Sequence, residues 1–145
     1  MLRNILNLPK KVSIEWSYPQ KIEVLLTSSK LKQTKWGIYQ ISAKLETDVQ
    51  CLYIGKAWNN FEVRLKSHKK DWLDSYKGEK IVRFGEIKTR INETQLLEIE
   101  SAIIFHTNPL HNRKCINSYK LNYDYEISKI GFRGEVASIV RTIEH

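Results

Sequence analysis

The segment that most constrains the fold is GIYQISAKLETDVQCLYIGK, residues 37–56. Two runs rich in β-branched and aromatic residues, Trp36–Ser42 and Val49–Gly55, flank a polar loop, Ala43–Asp48, and read as an antiparallel hairpin. Strand alternation sets Leu52 and Ile54 on one face and Cys51, Tyr53 and Gly55 on the other. In the first strand Ile38 falls on one side, with Gly37, Tyr39 and Ile41 on the opposite one. Pairing Ile38 with the Leu52 and Ile54 face brings both tyrosines to the other face. Packing needs only apolar residues there, so two phenols on one face ask for a chemical reason.

The rest of the chain supplies helices to cover such a hairpin. Phe61–Leu73 has helical spacing, with Phe61, Leu65, His68 and Trp72 in one arc, Arg64 at its margin, and Lys66, Lys69 and Lys70 pointing elsewhere. Lys80–Lys88 alternates as a third strand. Glu93–His106 reads as a second helix, with Asn92 as N-cap and Gln95 completing a capping box. Pro19 followed by Gln20–Thr27 predicts a short helix, although IEVLL also suits a strand. Near the C-terminus Tyr119, Leu121, Tyr123, Tyr125 and Ile127 alternate as a strand with one buried face. Val136, Ile139, Val140 and Ile143 then have the spacing of a closing helix over Gly134–Glu144.

The second helix carries the most informative residue. Leu96, Leu97, Ile99, Ile103 and Ile104 form an apolar arc centred near Glu100, whereas Glu98 falls on the polar side. A carboxylate inside a buried stripe costs several kcal/mol unless it is paired or coordinated. Two readings follow: a metal ligand, or a structural ion pair with Arg64.

In order along the chain, GIY at 37–39, YIG at 53–55, Arg64 with His68 four residues on, Glu100, Pro109 and Asn112 resemble the GIY-YIG nuclease domain over residues 36–112. The resemblance implies a small α/β (α+β) fold in which helices flank an antiparallel three-stranded sheet. The C-terminal strand and helix are additions to it. The implied activity is phosphodiester hydrolysis with one divalent metal ion, Mg2+ or Mn2+. Carried over by position, Tyr39 and Tyr53 are the motif tyrosines, Arg64 the motif arginine, Glu100 the metal ligand and Asn112 the late asparagine. KAWNNFEV is one residue longer than in many members, and the extra residue is assigned near Asn59 and Asn60.

Elementary chemistry agrees with these roles. Phosphodiester cleavage needs an aligned water, positive charge on the phosphoryl oxygens and help for the leaving alkoxide. Glu100 suits one Mg2+, which takes few protein carboxylates and keeps several waters. Arg64 offers a planar fork matched to phosphate. Tyr39 is the general base if nearby cations, Lys56 and Arg64, acidify its phenol. His68 is the rival base, or a relay through Tyr53. Asn112 fits the orienting of Glu100 or of a strand better than contact with phosphate, and His106 and His111 show no metal-ligand pattern.

The chain carries 24 Lys+Arg against 16 Asp+Glu, a formal charge of +8, which attracts polyanions over a broad face. Two cysteines, Cys51 and Cys115, form no disulfide or zinc pattern and are read as reduced thiols, hence a cytoplasmic location. No segment approaches the roughly 20 apolar residues of a membrane span, and no signal-peptide pattern opens the chain, so a soluble protein is expected. The 145 residues read as a single domain, with a 36–112 core and flanks 1–35 and 113–145 packed on it. The flanks are assigned to DNA contacts, a homodimer surface or a protein partner. Three functions stay open: a metal-dependent DNA endonuclease of restriction or defence, a repair or recombination nuclease acting on distorted DNA, and a catalytically silent nucleic-acid-binding module.

Overall fold

The computed structural model describes residues 10–27, 36–112, 125–131 and 139–141. In chain order the described elements are β1 (Lys10–Trp16), β2 (Gln20–Lys21), α1 (Ile22–Leu26), β3 (Gly37–Lys44), β4 (Val49–Ala57) and α2 (Phe61–Asp71). A 3-10 turn (Leu73–Ser75), β5 (Glu79–Ile87), α3 (Glu93–Thr107), β6 (Tyr125–Gly131) and β7 (Ile139–Arg141) follow. The antiparallel set β4-β3-β5 is the three-stranded core expected from the sequence. It lies within a seven-stranded sheet of order β4-β3-β5-β1-β6-β7, with β2 also paired to β5. β3 lies between β4 and β5, with every residue but Lys44 buried.

The extension rests on β1, which the sequence reading did not single out. Val12, Ile14 and Trp16 alternate with polar residues in KKVSIEW and are buried. Three apolar residues between Pro9 and Pro19 are a short signal, made a strand by partners on both sides: β5 antiparallel and β6 parallel. The predicted helix over Gln20–Thr27 shrinks to α1, because Gln20 and Lys21 pair with Val82 and Ile81 first.

Helices cover both faces. Against α3 pack Val12, Ile14, Trp16, Ile38, Ile54, Tyr125 and Ile127. On the opposite face Ile22 of α1 and Phe61 and Leu65 of α2 pack on Tyr39, Ile41, Leu52 and Val82. The α3 ends are well defined. Asn92 Oδ1 accepts from the Gln95 amide at 2.8 Å while Gln95 Oε1 accepts from the Asn92 amide at 3.0 Å, and Asn108 closes the helix in the left-handed region at φ 54°.

Four expectations are corrected. A β-bulge between Ile41 and Ser42 leaves Leu52 without a cross-strand partner, so Leu52 joins the Tyr39 face and Cys51 packs with Ile54. Glu98 is not on a polar face: it is 5% exposed, because β6 covers it and the Tyr125 hydroxyl donates to its Oε1 at 3.0 Å. Leu97, expected in the buried arc, is 43% exposed. Ile139–Arg141 form β7, not part of a closing helix. Their β-branched residues pair antiparallel with the edge of β6, and that ladder outweighs the helical spacing. Residues 119–124 and the remainder of 134–144, on which the predicted strand and helix also relied, lie outside the described residues.

Candidate active site

The site is assembled where β3, β4 and α2 meet. Tyr39 lies directly across from Gly55 in the β3–β4 ladder. A methyl group on Gly55 would stand 2.5 Å from the Tyr39 hydroxyl and 2.8 Å from the Tyr53 ring. The glycine of YIG is therefore the floor on which the tyrosine of GIY rests, and no larger residue leaves room for it. Beyond β4, Asn59 adopts φ 68°, a conformation asparagine tolerates well. This turn starts α2 at Phe61 and sets Arg64 in its first turn, with His68 one turn on.

One guanidinium joins the two phenols. Arg64 donates from Nε to the Tyr39 hydroxyl at 3.0 Å and from Nη2 to the Tyr53 hydroxyl at 3.1 Å. His68 Nε2 lies 2.7 Å from the Tyr39 hydroxyl, and the Trp72 indole N–H donates to His68 Nδ1 at 2.9 Å. Further out, Trp72 stacks on His111 at 3.8 Å between ring centroids, and the Tyr76 hydroxyl is 3.0 Å from His111 Nδ1.

Electrostatics divides the roles. Burial pushes the Tyr39 phenol well above its ordinary range; the Arg64 charge and its hydrogen bond pull it back, and Tyr53 and Glu100 raise it further. His68 is lowered to about 4, by burial first and then by the positive field of Arg64 and by His111, against Asp71. Its ring is neutral at pH 7. Burial also works against the charge of Arg64, but Tyr39, Tyr53 and Glu100 together leave its pKa raised, so it stays a cation.

Glu100 is 0% exposed, and its carboxylate acts on both Tyr39 and Arg64. Among the described residues no three His, Cys, Asp or Glu side chains cluster as a metal site. The carboxylate whose charge reaches both Tyr39 and Arg64 is that of Glu100, a hard oxygen donor. That fits a single Mg2+, which binds through one or two carboxylates and otherwise keeps its waters.

The remaining sequence candidates lie at the edges of this arrangement. Lys56 pairs across from Ile38, on the α3 face of β4, and the charges acting on Tyr39 are Arg64, Tyr53 and Glu100. Asn112 is buried, and its amide both accepts from the Ile54 N–H and donates to the Ile54 carbonyl, each at 2.8 Å. With the Leu110 and His111 amides bonded to Cys51 and Leu52, it seals the edge of β4 and fixes the strand carrying Tyr53 and Gly55. Trp72, Tyr76 and His111 join the site without belonging to the sequence motif. Trp72 had a signal in its spacing of four from His68. His111 had none, since it reaches the site only by running along β4.

A family model described as GIY-YIG catalytic domain matches residues 35–120. The chain belongs to that family, whose members are nucleases acting on DNA. No curated protein and no solved structure matches it.

Proposed function

We propose that the protein is a metal-dependent endonuclease that hydrolyses DNA phosphodiester bonds. The observation that carries this is the guanidinium of Arg64 bonded to both motif hydroxyls and within the field of the buried carboxylate of Glu100. The net charge of +8 suits a polyanionic substrate. Arg64 is half-buried and a strong phosphate binder, so the substrate engages it first and thereby gains access to the Tyr39 hydroxyl beneath. Tyr39 is the general base: its phenolate takes a proton from the attacking water as the water oxygen bonds to phosphorus and the leaving oxygen departs. Tyr53 holds Arg64 in place, and Glu100 is the residue that would hold Mg2+ or Mn2+. Such an ion supplies positive charge to the phosphoryl oxygens and the leaving alkoxide.

The test is incubation of the protein with plasmid and mixed genomic DNA with Mg2+ or chelator, beside Glu100→Gln. Wild type nicks or linearises DNA only with metal; the variant folds and binds DNA but does not cut. Wild-type cleavage by folded Glu100→Gln overturns the metal assignment. A structural ion pair would instead appear as a stability loss of about 3–5 kcal/mol.

A further inference from the structure

We infer that Trp72 is a positioning residue: its indole N–H fixes the proton of His68 on Nε2, and so makes His68 a donor to Tyr39 rather than a sink for its proton. An indole N–H only donates. At 2.9 Å from Nδ1 it requires that nitrogen to be bare, and a neutral imidazole carries its single proton on the other one. Nε2–H then donates to the Tyr39 oxygen at 2.7 Å. The Arg64 Nε–H, which also can only donate, reaches the same oxygen at 3.0 Å. With both lone-pair directions taken, the phenol's own hydrogen is excluded from His68 and Arg64. It is left with the remaining direction about the oxygen. When the phenol ionises, the same two donors hold the phenolate without moving, which is the preorganisation an oxyanion needs.

The rest of the molecule keeps Trp72 in this pose. It is the C-cap of α2, and its backbone N–H bonds the His68 carbonyl at 3.0 Å, so the indole folds back over the residue one turn earlier. Its ring is clamped between the stacked His111 ring and the edge of Tyr76, centroids 5.7 Å apart. The titratable and charged groups around His68 are Arg64 and Asp71 on its own helix, Tyr39 and Tyr53 from the sheet, and His111 from the segment along β4. Asp71 is the group able to draw a proton onto Nδ1. Its Oδ2 accepts from Ser67 Oγ at 3.2 Å instead, and the Nδ1 lone pair is already used by Trp72.

The role of Tyr39 in this inference rests on the nuclease reading; the tautomer does not, and two measurements separate them. In 15N-histidine-labelled protein, long-range proton–nitrogen correlation spectra report the tautomer directly. Wild-type His68 is expected as Nε2–H, and Trp72→Phe, which keeps an aromatic ring but loses the donor, as a mixture. Cleavage by Trp72→Phe should lose about 3- to 10-fold in kcat, the worth of one hydrogen bond, with KM unchanged because Trp72 acts through His68. In a Tyr39→Phe background the same substitution should cost nothing further. An Nδ1–H tautomer in wild type, a pure Nε2–H tautomer kept by Trp72→Phe, or an equal rate loss in the Tyr39→Phe background overturns the inference. If Trp72→Phe unfolds, benzothienylalanine at position 72 keeps the bicyclic shape without the N–H. Should wild type cut no DNA while the tautomer behaves as expected, the positioning role stands and the nuclease reading falls.

Discussion

The two faces of the sheet are built from the same strands and do opposite things with polar atoms. On the α3 face the core is mainly aliphatic, with Trp16 and Tyr125 among it, and two pairs of buried polar groups close on each other: Gln40 on Ser42 at 3.1 Å, Glu98 on Tyr125 at 3.0 Å. On the α2 face two phenol hydroxyls accept from a single half-buried cation, Arg64, and the ring nitrogens of His68 and Trp72 continue from the Tyr39 hydroxyl in one connected network. α3 is buried nearly all round, so any polar group there must be paired locally or pay its desolvation. α2 leaves its lysines in solvent and buries only Phe61 and Leu65, so the network beneath it stays within reach of a substrate. Aliphatic packing is therefore concentrated on the face that α3 covers and the aromatic network on the other, with Glu100 of α3 acting on that network through its charge.

Substitutions on the two faces should separate accordingly. The largest effect is expected for Tyr39→Phe, which removes only an oxygen: cleavage falls about 10²- to 10⁴-fold, while the melting transition moves little. Normal cleavage by this variant would place the chemistry elsewhere. Ile54→Ala, on the α3 face of the neighbouring strand, should do the reverse. It costs about 2–5 kcal/mol of stability in denaturant titration, yet the folded fraction cuts at the wild-type rate. Gly55→Ala sits on the boundary. Its methyl group would overlap the Tyr39 ring, costing about 1–3 kcal/mol, and cleavage should fall even where the protein is fully folded.

The pH profile is the most diagnostic. Tyr39 has its phenol pKa raised by burial, so the phenolate is the minority form at neutral pH and its population grows with pH. Cleavage should climb about tenfold per pH unit, the slope of one ionisation, from neutral into the alkaline range. His68, lowered to about 4, should add no step near pH 6–7. A rate that rises through a step near pH 4 and is flat from neutral pH upward would give the base role to histidine.

Much of this was legible locally. The β3–β4 hairpin, the shared face of Tyr39 and Tyr53, the capping box of α3 and the spacing of Arg64, His68 and Trp72 on α2 all follow from periods of two and of 3.6 residues. The ordered motif residues gave the family. Local pattern missed what depended on neighbours supplied from far along the chain. KKVSIEW is a strand because β5 and β6 flank it, and Ile139–Arg141 are a strand because β6 has an edge to offer. Glu98 is buried because Tyr125, 27 residues away, covers it.

The sequence by itself determined on which helix or strand Tyr39, Tyr53, Arg64, His68 and Glu100 each stand, since those assignments need only backbone periodicity and residue type. Only the tertiary structure decided how they act on one another. The bulge that returns Leu52 to the Tyr39 face, the guanidinium shared between two phenols, the indole bonded to His68 Nδ1 and the Asn112 amide bonded to the Ile54 backbone are all long-range or three-dimensional contacts. Hydrogen bonds and pKa values depend on distances of a few tenths of an ångström and on the depth of burial, and neither quantity is encoded in the spacing of residues along a chain.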